Sequence, residues 1–177
     1  MITAIRTNFR GDRFRSRLEA RWAVFFDRMG YVYEYEPNGY VLDGNPYLPD
    51  FAMDGGDMFV EVKPLHFSQW TEDDPQYVRW LAISGLWNAP ASVLPPLVTL
   101  AGSPADARAI LFVDFQAQPV VGHVGACRRC GAFGWHSPEV GHGVLFGGDS
   151  SCECERTPDF GIIEDAARYA QEFSFDH

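Results

Sequence analysis

The stretch Pro49-Asp50-Phe51-Ala52-Met53-Asp54-Gly55-Gly56-Asp57-Met58-Phe59-Val60-Glu61-Val62-Lys63 decides how this chain is read. Its middle, Asp54-Gly55-Gly56-Asp57, is a strong turn signal, because glycine takes positive φ freely and aspartate bonds to its own backbone. Met58–Lys63 reads as an apolar-rich strand and Leu48–Met53 as the strand before the turn. Side chains alternate across a strand, so Glu61 and Lys63 leave the same face. The turn brings Asp50 beside Glu61. Two carboxylates and one ammonium then converge among apolar neighbours: Leu48 and Phe51 near Asp50, Phe59, Val60 and Val62 near Glu61. An exposed ion pair, worth about 0–1 kcal/mol, would sit among polar neighbours instead. Charges set into apolar strands more often serve a site.

That grouping has a definite chemistry. Two hard oxygen ligands suit Mg²⁺ or Mn²⁺, with waters and a phosphate oxygen completing an octahedron. The Val62 carbonyl faces the same region and is a further candidate ligand. Such an ion polarises a phosphodiester and lowers the pKa of a bound water. Lys63 would orient that water or stabilise charge building on the phosphate. Lys63 is also the only lysine in a chain whose other thirteen basic residues are arginine.

Upstream, Leu18, Trp22, Phe25, Phe26 and Met29 recur at helical spacing, which predicts a helix over 14–29 stopped by Gly30. Glu19 stands at the edge of that apolar stripe. Tyr31–Glu36 reads as a strand ended by Pro37, and Tyr40–Leu42 and Leu48–Met53 flank a turn at Asp43-Gly44-Asn45-Pro46. Glu34 and Glu36 share one face of their strand. Downstream, Thr71–Leu86 reads as a second helix with Thr71 as N-cap and Pro75 in the first turn. Its residue Gln76 is a candidate contact to a substrate backbone. Leu97–Ala101 and Ala109–Phe115 are strand-like, and 162–173 is a closing amphipathic helix.

The segment Pro49-Asp50 followed by Glu61-Val62-Lys63, behind the helix Arg15-Ser16-Arg17-Leu18-Glu19-Ala20-Arg21-Trp22, resembles the PD-(D/E)XK nuclease superfamily. The order helix-Glu, strand-Asp, strand-Glu-x-Lys is similar to that of phage Holliday-junction endonucleases and transposon-end nuclease subunits. The resemblance covers 14–63 well, 64–115 only as a helix and strands, and 123–155 not at all. It implies an α/β core with a central mixed sheet and Mg²⁺-dependent phosphodiester hydrolysis. It also implies that Glu19 joins Asp50, Glu61 and Val62 around the metal, and that the protein acts as a homodimer or with a protein partner.

Charge at first argues against such a role. The 177 residues hold 24 acids and 14 bases, a net −10, which disfavours coating nucleic acid or anionic membrane through bulk charge. The distribution is uneven, however. Seven arginines against three acids give the first 28 residues +4, and the remainder carries −14. Arg10, Arg13, Arg15, Arg17 and Arg21 are candidate phosphate contacts beside the Glu19 helix.

Cys127-x-x-Cys130 and Cys152-x-Cys154 form a second constellation, in a Gly-rich stretch. Four thiolates would complete a tetrahedral structural Zn²⁺ site, with His136 or His142 the alternative for one ligand. Two disulfides are the rival pairing, which a cytoplasmic location disfavours. That location, in a bacterium or phage-infected host, follows from an N-terminus without an apolar signal region. The uncharged run Trp80–Ala105 is interrupted by prolines and reads as a helix end, a loop and a strand rather than a membrane span.

The expected fold is α/β: a PD-(D/E)XK nuclease-like core of helix, antiparallel meander, helix and strands over 1–122, a small zinc-ribbon-like insert over 123–157, and a C-terminal helix in 158–177 completing the core. The expected function is metal-dependent cleavage of duplex or branched DNA, structure-directed or accessory, in a phage or mobile element. The alternative is a catalytically inactive nuclease-fold module that recruits a partner through its zinc insert.

Overall fold

The computed structural model describes residues 4–64, 73–89, 92, 94–106, 108–112, 119–126, 133–136, 144–146 and 160–175. Its first element is one the sequence reading did not foresee. A short hairpin, β1 (Thr7–Phe9) and β2 (Asp12–Phe14), turns through Arg10 and Gly11, both at positive φ. Phe14 is therefore the end of a strand, buried in the core, and not the start of the helix. Helix α1 runs over Arg17–Met29. Ser16 caps its N-terminus, and Gly30 closes it in the left-handed conformation that glycine adopts without a Cβ penalty.

Strands β3 (Tyr33–Tyr35), β6 (Phe51–Met53) and β7 (Met58–Lys63) then form an antiparallel meander, but without Tyr40–Leu42, which the sequence reading set opposite Leu48–Met53. Between them β4 (Tyr40–Leu42) and β5 (Asn45–Tyr47) make a separate hairpin. Its turn is the two residues Asp43 and Gly44, both at positive φ, so Asn45 and Pro46 belong to a strand and not to a four-residue turn. An Asp-Gly pair supplies the twist a tight hairpin needs. Helix α2 covers Pro75–Trp87, with Asp74 as N-cap in place of the expected Thr71, which lies outside the described residues.

Strand β8 (Leu97–Ala101) returns parallel to β7, pairing Glu61 with Thr99 and Lys63 with Ala101. β9 (Arg108–Phe112), β10 (Pro119–Ala126), β11 (Phe133–His136) and β12 (Val144–Phe146) follow antiparallel. Among the described residues the main sheet has eight strands in the order β12-β11-β10-β9-β8-β7-β6-β3. The boundary expected at 122/123 thus falls inside β10, and β11 and β12 extend the same sheet. Cys127, Cys130, Cys152 and Cys154 lie outside the described residues.

Helix α3 (Phe160–Glu172) completes a mixed α/β arrangement with three helices among the described residues. Ile163, Ala166, Ala167 and Ala170 of α3 pack with Trp22, Phe25 and Phe26 of α1 and with Phe51, Val60, Val62 and Leu100 of the sheet. Ala52, Phe59 and Leu97 bury a second apolar cluster with Trp87 of α2. Burial on both faces explains why the central strands read as continuous apolar runs. The uncharged run from Trp80 divides into the end of α2, a connection and β8. Among the described residues no helix is long and apolar enough to cross a membrane.

Candidate functional site

The pairing of Phe51 with Val60 sets Asp50 across from Glu61. Both carboxylates are buried, Asp50 2 % and Glu61 6 % exposed. A buried carboxylate is tolerated only when its oxygens are hydrogen-bonded, and all four are. Asp50 Oδ2 accepts from the Val62 N–H at 2.7 Å, and Oδ1 accepts from the Arg15 guanidinium. Glu61 Oε2 accepts from the Tyr47 hydroxyl at 2.7 Å, and Oε1 takes the Lys63 ammonium. A strand residue turns its N–H and C=O to the same neighbour, so the Val62 carbonyl faces the Asp50 side too.

The pair is electrostatically costly. Burial and the Glu61 charge push the Asp50 carboxyl well above the usual carboxylate range, against the opposing pull of the Val62 N–H and Arg15. Burial and Glu61 also hold the Tyr47 hydroxyl well above its ordinary value, so it stays a neutral donor.

Glu19 is tied to the start of α1. Ser16 Oγ accepts from the Glu19 N–H at 3.1 Å and donates to Glu19 Oε1 at 2.7 Å. Glu19 Oε2 accepts from the Arg15 N–H at 3.1 Å and from the Tyr35 hydroxyl at 2.6 Å. This is a variant of the capping box that the Ser-x-x-Glu spacing allows, with Glu19 reaching back to the N–H of Arg15, one residue before the cap. The Glu19 charge still bears on Asp50.

Arg15 links these groups. Its Nε lies 2.7 Å from Glu36 Oε1 and 4.0 Å from Glu19 Oε2, while Nη2 sits on Asp50. Burial opposes its charge, but Asp50, Tyr35, Glu19 and Glu36 outweigh burial and raise its pKa. Glu36 reaches it from a left-handed backbone, φ 47°, which breaks the strand alternation that paired Glu34 with Glu36. Glu34 is left exposed on β3.

A cleft of about 450 Å³ opens over this group. Arg15, Tyr47, Glu61 and Lys63 line it on one side, and Gln76 and Arg79 of α2 on the other. Of the other arginines singled out from sequence, Arg10 pairs with Asp27 at 2.6 Å. Arg21 donates to the Ala170 carbonyl at 2.7 Å and to that of Gln171, tying α1 to the end of α3. Burial, with Arg17 nearby, lowers the Arg21 pKa. Arg13 is exposed on β2, and Arg17 is half-buried in the first turn of α1. Tyr47, Tyr35 and Arg79 were missed from sequence, because nothing local ties residue 47 to 61 or 79 to 63.

Among the described residues no three His, Cys, Asp or Glu side chains stand close enough together to hold an ion as they are. The donor chemistry nevertheless fits a hard divalent cation. Asp50, Glu61 and the Val62 carbonyl could hold one, and its charge would relieve the repulsion between the buried carboxylates. Glu19 would have to loosen its cap to join them. No protein-family model matches the chain, and no curated protein matches it in sequence.

Proposed function

We propose that the protein is a metal-dependent endonuclease that hydrolyses DNA phosphodiester bonds, acting on duplex or branched DNA by structure-directed or accessory cleavage. The observation that carries this reading is the buried Asp50–Glu61 pair with Lys63 beside it, Glu61 and Lys63 lining a cleft that also presents Arg15, Gln76 and Arg79. Asp50, Glu61 and the Val62 carbonyl would hold Mg²⁺ or Mn²⁺, with Glu19 joining if its cap loosens. Such an ion supplies a water of lowered pKa and stabilises charge on the phosphate. Lys63 would place its ammonium against the attacking water or a phosphate oxygen. Tyr47, kept neutral, would orient Glu61. Arg79 and Gln76 would bear on the phosphate backbone from α2.

The second reading, an inactive binding module that recruits a partner through its zinc insert, draws on Arg15, whose guanidinium already occupies Asp50 Oδ1. One assay separates the two. Protein with Mg²⁺ or Mn²⁺ is incubated with duplex, single-stranded and four-way-junction DNA, beside Asp50→Asn and Lys63→Ala. Cleavage by wild type, with a loss of at least roughly 100-fold in each variant, is expected for residues of the reacting group. Equal and negligible cleavage by all three would sink the enzyme reading. We further propose that Cys127, Cys130, Cys152 and Cys154 hold a structural zinc; metal analysis should then find about one Zn²⁺ per chain.

A further inference from the structure

Asp50 has two oxygens, and the backbone engages one of them. Oδ2 accepts from the Val62 N–H at 2.7 Å, which leaves Oδ1 the freer oxygen for a cation, and the Arg15 guanidinium already sits there. Two cations on one carboxylate oxygen repel strongly in a site this buried. Arg15 nonetheless reaches that position from the solvent side. Its side chain is about half exposed, it lines the cleft, and its Nε is held separately by Glu36 at 2.7 Å. Glu36 is itself kept in a left-handed conformation at φ 47°, a backbone state that costs energy and persists where the surroundings impose it. The guanidinium therefore has a pivot at Glu36 and a releasable end at Asp50.

Resting on the nuclease reading above, we propose that Arg15 is a resident counter-ion of the carboxylate site that competes with the divalent metal. Metal loading frees its Nη2 end into the cleft, where it grips a phosphate of the nucleic acid beside Lys63 and Arg79. Without metal the carboxylates are neutralised from within and the cleft lacks one of its phosphate donors. With metal the donor is delivered, so metal and nucleic acid favour each other's binding. Linkage makes that coupling reciprocal.

The test is Mn²⁺ affinity by isothermal titration calorimetry, on wild type and Arg15→Gln, with far-UV circular dichroism to check folding. Removal of the competitor should tighten Mn²⁺ binding by roughly 5-fold or more, the lower end of coupling between linked sites. Arg15→Lys keeps the positive charge for folding but cannot span from Glu36 to Asp50, and should also bind Mn²⁺ more tightly than wild type. In a second measurement, Mn²⁺ should strengthen binding of a cleavage-resistant phosphorothioate duplex more in wild type than in Arg15→Gln. Mn²⁺ bound equally or more weakly by both variants would overturn the proposal alone, since Arg15 would then merely hold the carboxylates in place. An equal gain in duplex affinity in wild type and Arg15→Gln would overturn the phosphate-gripping role. Absence of Mn²⁺ binding in every protein would overturn the nuclease reading as well.

Discussion

Asp50 is the side chain on which stability and function pull in opposite directions. Burial and the neighbouring Glu61 raise its pKa above the ordinary carboxylate value, so the folded, metal-free protein favours the protonated form more than the unfolded chain does. The native state then binds more protons, and the contribution of Asp50 to stability is full below the unfolded pKa and is lost as pH rises through the folded one. Asp50→Asn removes this dependence. Without added divalent ion, the variant should gain on wild type as pH rises from 4 to 8, by roughly 1 kcal/mol or about 2–4 °C in Tm for a chain of this size. Differential scanning calorimetry across that range checks it; a difference that stays flat with pH would remove Asp50 as the cause. The same variant should abolish cleavage. A residue that is held at a cost and whose replacement improves the fold is what a site built for chemistry predicts.

Helix α2 depends on its first residues. The Asp74 side chain accepts from the Gln76 N–H at 2.8 Å and the Tyr77 N–H at 3.4 Å, and Pro75 follows at the first helical position. Asp74→Ala should cost about 1 kcal/mol in urea unfolding, with Asp74→Asn nearly silent because asparagine caps as well. A matching loss in both variants would point to charge rather than capping. Both Thr71 and Asp74 suit a cap, and the choice fell to Asp74 because proline is best placed directly after it. Elsewhere, local rules carried the reading far. Period-two alternation and one turn placed Asp50, Glu61 and Lys63, since all three lie within fourteen residues of sequence. The same rules singled out Arg15 as a phosphate contact but were blind to its meeting with Asp50, 35 residues away, and to Tyr47, whose hairpin folds back over β7. The β1–β2 hairpin was missed because Arg10, an unusual residue for positive φ, hides half of its turn. A long flexible side chain carries no periodicity, so its partner is settled only when the tertiary structure forms.

Across the whole molecule, Trp87 joins the layers around the site. Its ring meets Tyr40 at 4.8 Å, Phe59 at 5.2 Å and Tyr47 at 5.5 Å, and its Nε1 donates to the Pro95 carbonyl at 2.7 Å. Trp87→Ala should cost about 3–5 kcal/mol in urea unfolding. It should also loosen the hairpin that delivers Tyr47 to Glu61, so the loss of cleavage would exceed the loss of folded protein. Activity that falls only in step with the folded fraction would show that the cluster is purely structural. The parallel joint between β7 and β8 bears on something else, the order of synthesis. Glu19, Asp50, Glu61 and Lys63 are all made before Leu97–Ala101, the strand that flanks Glu61 on its far side. A chain still on the ribosome at that stage holds every charged group of the site with one edge of β7 unpaired, and the enclosure that shifts Asp50 is not yet built. On the nuclease reading, a half-made chain that stalls or is clipped before residue 97 should therefore be inert.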